Sequence, residues 1–394
     1  VIKERTEIRF SSVLIYSLLL NAGAAFMWPL VTVYMHDYLG KSMSLAGIVL
    51  FLMSMMMVLG SYVAGVLFDK WSPYKTAVLS ILTSTIGIAI LVFFHGWPVF
   101  GIMLMFVGFG DGAGLTLLNS YSTTIKSRST RSVFNIIYIG NNLGVVIGTL
   151  LTGFLLDKGI SLLFSVALIF YVILLLITIF EFNVKFDLTR KRNRKKAAQG
   201  PRRLNRTILL ICLLVLSLYI SYSLWESIIS VHMTSLGISF EKYSLLWTLN
   251  GVMIVTLQPL VNRLGSHFKL STQTYVGVII FALATVGLIF ARQYTAFIMA
   301  MVFTTIGEII AFPGMPTWID SLSAPEDRGR YQGMFNAFVS IGRALGPVIG
   351  GFVLQYSTDT VLFSFSGALI IFFLIILVIR NKKVANRAKL NTNN

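Results

Sequence analysis

A single cysteine, Cys212, occurs in 394 residues, so no intramolecular disulfide can brace the chain. Charge is scarce as well. Asp, Glu, Lys and Arg make up 12% of the residues, against about 25% in an ordinary soluble domain. No G-x-x-x-x-G-K-[ST] phosphate loop is present, which argues against drive by ATP. No His, Cys or carboxylate cluster has metal-ligand spacing, and no nucleophile elbow interrupts the apolar runs. An enzyme is therefore not expected, nor any metal or cofactor. The opening VIKERTEIRF leads into a long apolar run with no small-residue cleavage site, so no secretory leader is expected.

Acids are the scarcer charge, 15 against 32 basic residues, for a net charge of +17. The basic residues sit in short loops and tails rather than in one patch, so a nucleic-acid partner is not expected. Apolar residues supply 56% of the chain, and its mean hydropathy is +0.81. Stretches of about 20 apolar residues, each long enough to cross a bilayer, recur along nearly its whole length. The expected fold is all-α and integral to the membrane. Twelve spans are expected, near 10–35, 43–68, 75–95, 97–122, 133–156, 160–182, 206–232, 242–263, 271–291, 295–320, 331–356 and 360–380.

Lysine and arginine set the orientation. Lys3, Arg5, Arg9, Lys70, Lys75, Lys126, Arg128, Arg131, Arg263, Lys269, Arg328 and Arg330 lie at one set of ends, whereas only Lys41, Lys158, Lys242 and Arg292 lie at the other. Both termini are thus expected in the cytoplasm of a multi-pass cell-membrane protein. The sequence RKRNRKK falls in the longest hydrophilic stretch and is expected to act as a cytoplasmic tether near anionic lipid headgroups. The expected division is a six-helix bundle over 1–184, a basic linker over 185–205, a second six-helix bundle over 206–381 and a tail over 382–394.

The two halves repeat. Gly140, Gly144 and Gly148 in the fifth span correspond to Gly342, Gly346 and Gly350 in the eleventh, all 202 positions apart. Asp157 and Asp359 keep that offset, Asp111 and Glu308 are 197 apart, and His36 and His232 are 196 apart. Two pseudo-symmetric bundles with a site near the midplane are a secondary-transporter plan.

The segment Gly65-Val-Leu-Phe-Asp69-Lys70-Trp-Ser-Pro-Tyr-Lys75 resembles the G-x-L-x-D-R-x-G-R-R/K loop of the major facilitator superfamily. Gly65, Asp69, Lys70 and Lys75 match, while Ser72 and Pro73 replace a glycine and a basic residue. Gly342-x-x-x-Gly346-Pro347-x-x-Gly350 is similar to the glycine-proline motif of this superfamily's antiporters. The arginine that its drug antiporters carry in the fourth span is absent from MFVGFGDGAG. The resemblance covers nearly the whole chain. It implies a drug–proton antiporter with an acidic coupling residue in the tenth span and another in the seventh.

An ionised carboxylate in hydrocarbon costs at least about 2.5 kcal/mol, so Glu308, Asp111 and Glu226 are the proton-coupling candidates. Each has a structural alternative: Glu308 as a partner of Arg343, Asp111 as a helix–helix hydrogen bond beside small glycines, and Glu226 as a group reaching external water. Pro313 cannot donate to Ile309 and should kink the helix below Glu308. Asn21, Trp28, Tyr34, Asn119, Asn142, Tyr222, Trp225, Asn250, Trp318 and Arg343 are substrate-lining candidates, since aromatic faces with scattered amides suit an amphipathic ligand. Asp69, Lys70, Lys75, Arg128, Asp320 and Arg330 are candidate gate charges. The repeated glycines and Pro347 are helix-packing candidates. His36 and His232 are expected on the external surface.

The function expected is proton-coupled export of amphipathic or cationic organic molecules by a monomer that meets small-molecule substrate, protons and lipid. An importer or facilitator of a small metabolite and a lipid or lysolipid flippase are the alternatives.

Overall fold

The computed structural model describes residues 7–122, 125, 127–128, 130–184, 205–265, 267–323 and 328–392. The basic linker lies outside the described residues except for Asn205, and so do the side chains of Asp69 and Arg330. Among the described residues the secondary structure is wholly helical. Twelve stretches among these residues are long and apolar enough to cross a membrane, the number expected from the sequence.

The helices of the first half are α1 (Phe10–Val33), α2 (Met43–Lys70), α3 (Pro73–Phe93), α4 (Val99–Ser122), α5 (Thr130–Leu155) and α6 (Ile160–Glu181). Those of the second are α7 (Arg206–Ser235), α8 (Phe240–Gly265), α9 (Leu270–Gly287), α10 (Tyr294–Ala311), α11 (Gly314–Ser321), α12 (Arg328–Tyr356) and α13 (Asp359–Thr392). α10 and α11 together form the tenth span.

Local chemistry sets the ends. Ser42 and Ser72 accept from the amides of Leu45 and Lys75, and Asn205 accepts from that of Thr207. These side chains satisfy donors that a helix start leaves open. Pro73 opens α3, where its missing N–H costs nothing. Gly237 follows α7 at φ 76°, a backbone shape that side chains with a Cβ disfavour.

Two boundaries depart from expectation. α1 is followed by a π-helical turn at Tyr34–Tyr38. α13 continues to Thr392 where a separate tail was expected. The added segment, NKKVANRAKLNT, contains no Gly or Pro and is rich in helix-forming Lys, Ala, Arg and Leu.

The chain divides into two compact units, Val1–Ala197 with Ser239–Gly251 and Ala198–Ile238 with Val252–Asn394. The start of α8 thus groups with the first unit. In that unit α1 packs on α5, α2 on α4, and α3 on both α4 and α6. In the second, α7 packs on α12 and α13, and α9 on α10 and α13.

Glycine permits the closest of these approaches. A Cβ at Gly144 would meet the Leu18 carbonyl of α1, and one at Gly148 the Ala22 carbonyl at 2.5 Å. In the second unit a Cβ at Gly342 would lie 2.7 Å from the Leu216 carbonyl, and one at Gly346 would meet Ser223. The repeated glycines therefore lie on α5 against α1 and on α12 against α7. Pro347 is buried within α12.

Candidate functional site

The three intramembrane acids have different surroundings. Asp111 lies on α4 and is 2% exposed. The Tyr171 hydroxyl of α6 reaches both its oxygens, at 2.8 and 3.0 Å, and Ser84 Oγ of α3 donates to Oδ1 at 2.9 Å. Gly110 lets α4 approach this seam, since a Cβ there would meet Ser84 Oγ and lie 2.5 Å from the Ser80 carbonyl. The carboxylate therefore ties α3, α4 and α6 together inside one bundle. Sequence reading missed Ser84 and Tyr171 because neither stands at a spacing that signals contact with Asp111. Tyr171→Phe leaves one buried carboxylate oxygen without its donor. It should lower stability by about 1–3 kcal/mol, which thermal unfolding in detergent will measure.

Glu226 lies on α7, in the second unit. Its Oε1 accepts from Arg343 Nη2 of α12 at 2.9 Å, with side-chain exposures of 13% for the acid and 41% for the base. This is the described ion pair of Arg343, which the sequence had matched with Glu308. Helix register explains the difference: Gly342 and Gly346 bring α12 close to α7, and that contact presents Arg343 to Glu226. The guanidinium also stands over the rings of Tyr219 and Tyr222, 5.8 Å from each centroid. Phe312 packs against both tyrosines, with centroids 5.3 and 6.0 Å away.

Phe312 occupies the break in the tenth span. Its N–H donates to Glu308 O at 2.9 Å and closes α10, and Pro313 follows without a donor. The Ile309 carbonyl that Pro313 leaves open accepts from Gln258 Nε2 at 3.4 Å. A side-chain amide thus takes over where Pro313 interrupts the backbone ladder. Gln332 Nε2 donates to Pro316 O at 2.7 Å. Glu308, half-buried one turn before Phe312, acts electrostatically on Tyr222 together with Glu226 and Arg343.

The remaining candidates are dispersed. Asn21 Nδ2 donates to Asn141 Oδ1 at 2.7 Å across α1 and α5, with Asn142 half-buried beside it. Tyr34 reaches His95 at 2.8 Å, and Ser161 meets the other ring nitrogen at 3.2 Å. Trp225, Asn250 and Trp318 are buried, whereas Trp28 and Asn119 are half-buried. Lys70, Lys75 and Arg128 are exposed, and Asp320 is half-buried. Lys75 lies 5.7 Å from the Trp71 ring and Arg128 5.8 Å from that of Phe10.

His232 corrects an expectation. His36 is exposed beside Asp37, but the His232 side chain is only 3% exposed and its Nδ1 lies 3.1 Å from Asp359 Oδ2. The rings of Phe297 and Phe363 cover it. The end of α7 is enclosed by its neighbours α10 and α13, where the sequence suggested a surface.

With helices, repeats and charged groups located, similarity identifies the family. Residues 13–293 and 211–393 match the Major Facilitator Superfamily. The chain belongs to this superfamily. It is accordingly an integral, multi-pass membrane protein of a transporter family. The MFS-type transporter YttB of Bacillus subtilis (strain 168) is 34% identical over 354 residues, covering 88% of this chain and 89% of its own length. The multidrug resistance protein MdtH of Aeromonas hydrophila is 23% identical over 351 residues, with 86% of each chain covered. Among solved structures, a POT family transporter in complex with 5-aminolevulinic acid superposes with a TM-score of 0.78 at 12% identity, covering 95% of this chain and 96% of its own. At that identity the likeness concerns the fold.

Proposed function

We propose that this superfamily member exports amphipathic or cationic organic molecules in exchange for protons, by alternating access and as a monomer. The observation that carries the reading is the Glu226–Arg343 pair standing against Tyr219 and Tyr222, with Glu308 acting on the same tyrosine. Carboxylates beside aromatic faces suit a cation with an apolar body. The multidrug name carried by MdtH, at 23% identity, supports the same substrate class.

In this cycle Glu308 and Glu226 are the proton-coupling acids. Substrate leaves on the outside as a carboxylate takes up H⁺, and the proton is released to the cytoplasm before substrate returns. Loss of a negative charge changes the relative stability of the two access states. One charge moving down 100 mV supplies about 2.3 kcal/mol. Asp111, enclosed by Ser84 and Tyr171, serves packing in this reading. The termini face the cytoplasm, where Asp69, Lys70, Lys75, Arg128, Asp320 and Arg330 supply gate charges.

The test is flux in proteoliposomes carrying a lumenal pH dye. Addition of a transported cation should move protons opposite to the substrate. Protons moving with the substrate would replace export with symport, and transfer of headgroup-labelled lipid without proton movement would favour a flippase.

A further inference from the structure

The Glu226–Arg343 pair is incomplete by the standard of its own chemistry. A guanidinium and a carboxylate commonly engage through two parallel hydrogen bonds. Here the described contact is a single bond from Nη2 to Oε1. Glu226 Oε2 and Arg343 Nε are both buried without a hydrogen-bond partner among the described residues. The acid is the enclosed member and the base the open one, at 13% and 41% side-chain exposure. The guanidinium also stands over two tyrosine faces at 5.8 Å, within the range of a cation–π interaction. Phe312 packs against both rings.

A buried carboxylate oxygen, two tyrosine faces and a phenylalanine wall form the kind of surface that receives an organic cation. We infer that Arg343 is a resident stand-in for the transported cation, holding a Glu226–Tyr219–Tyr222 site that a monovalent organic cation takes over by displacing it. The inference rests on the export reading above and specifies its recognition step. A quaternary or phosphonium cation uses the ring faces and the carboxylate charge. A primary ammonium also donates to Glu226 Oε2. Because two cations cannot share one carboxylate and the same ring faces, arrival of substrate frees the guanidinium. Substrate occupancy is thereby linked to the charge balance on α12 and α7. Arg343 has a long, flexible side chain and is the more exposed partner, so it is the member able to withdraw.

The opposite role for Arg343, as an anchor for an anionic substrate group, uses the same atoms and predicts the opposite sign. Tetraphenylphosphonium binding to the full chain in lipid nanodiscs separates the two. Arg343→Gln removes the competitor and should tighten binding about tenfold, whereas Glu226→Gln should abolish it. Arg343→Lys keeps the charge but loses the planar fit over the rings, and should give an intermediate gain. This variant decides the matter if Arg343→Gln fails to fold, as judged by thermal unfolding. Unchanged or weaker binding in the folded Arg343 variants overturns the stand-in role while leaving cation export in place. Failure of the unmutated chain to bind tetraphenylphosphonium or a primary alkylammonium overturns both.

Discussion

Glu308→Gln is expected to reduce substrate-driven proton movement to the level of empty liposomes, while tetraphenylphosphonium binding persists. The substitution is nearly isosteric and retains hydrogen-bonding capacity, but it removes the ability to ionise. Glu308 stands half-buried near the end of α10, and its carbonyl accepts the last amide before Pro313. That bond belongs to the backbone and survives the change, so the break in the span should remain. What disappears is one of the two negative charges acting on Tyr222. Binding survives because Glu226, which the substitution leaves in place, carries the ion pair with Arg343 beside the tyrosine faces. The measurement is the proton signal of proteoliposomes after substrate addition, with bound cation determined separately. A full proton signal in Glu308→Gln removes this residue from the coupling scheme. Asp111→Asn is the internal comparison, and its proton signal should match that of the unmutated chain.

Gly112→Val is expected to eliminate most of the folded protein, the largest structural effect of any substitution considered. A Cβ at Gly112 would fall on the Met57 carbonyl and lie 2.6 and 2.7 Å from the Met57 C and Cα atoms. Backbone cannot rotate away as a side-chain tip can. The helices α2 and α4 would have to separate, and Gly60 and Gly108 face the same seam, against the Phe109 and Met53 carbonyls. Overpacking typically costs about 1–3 kcal/mol, and a clash with backbone should reach or exceed the upper end. Yield and melting temperature after detergent extraction measure it. Gly65→Ala is the control. Nothing lies within 4 Å of a Cβ at Gly65, and alanine favours a helix interior by up to about 1 kcal/mol. This variant should be at least as stable as the unmutated chain. A stable Gly112→Val protein would mean that the α2–α4 seam is looser than its geometry implies.

The contrast between these glycines shows what the chain reveals by itself. Gly65 stands out by resemblance to a family loop, yet its surroundings make no steric demand at that position. Gly112 is one of four glycines in a run beside Asp111, and only the packed helices distinguish it. The interruption of the tenth span was legible because Pro313 removes a specific donor wherever the helix lies. The amide that replaces it, Gln258, was not legible, because it comes from another helix 51 positions away. His232 and Asp359 each appeared in the repeat pattern, but no sequence feature joined them into a buried pair.

The sequence alone determined that the chain crosses a membrane, how many times it does so, where one span breaks and that its halves repeat. Those properties are sums of residue hydropathy or consequences of backbone donors, so they follow from local order. Tertiary structure decided which acid is locked in a bundle seam and which faces an arginine and two aromatic rings. Each residue turns a helix by about 100°, so side-chain partners depend on how neighbouring helices are rotated and how closely glycine lets them approach. Asp111 and Glu226 carry the same carboxyl chemistry, and that rotation and contact give them different partners.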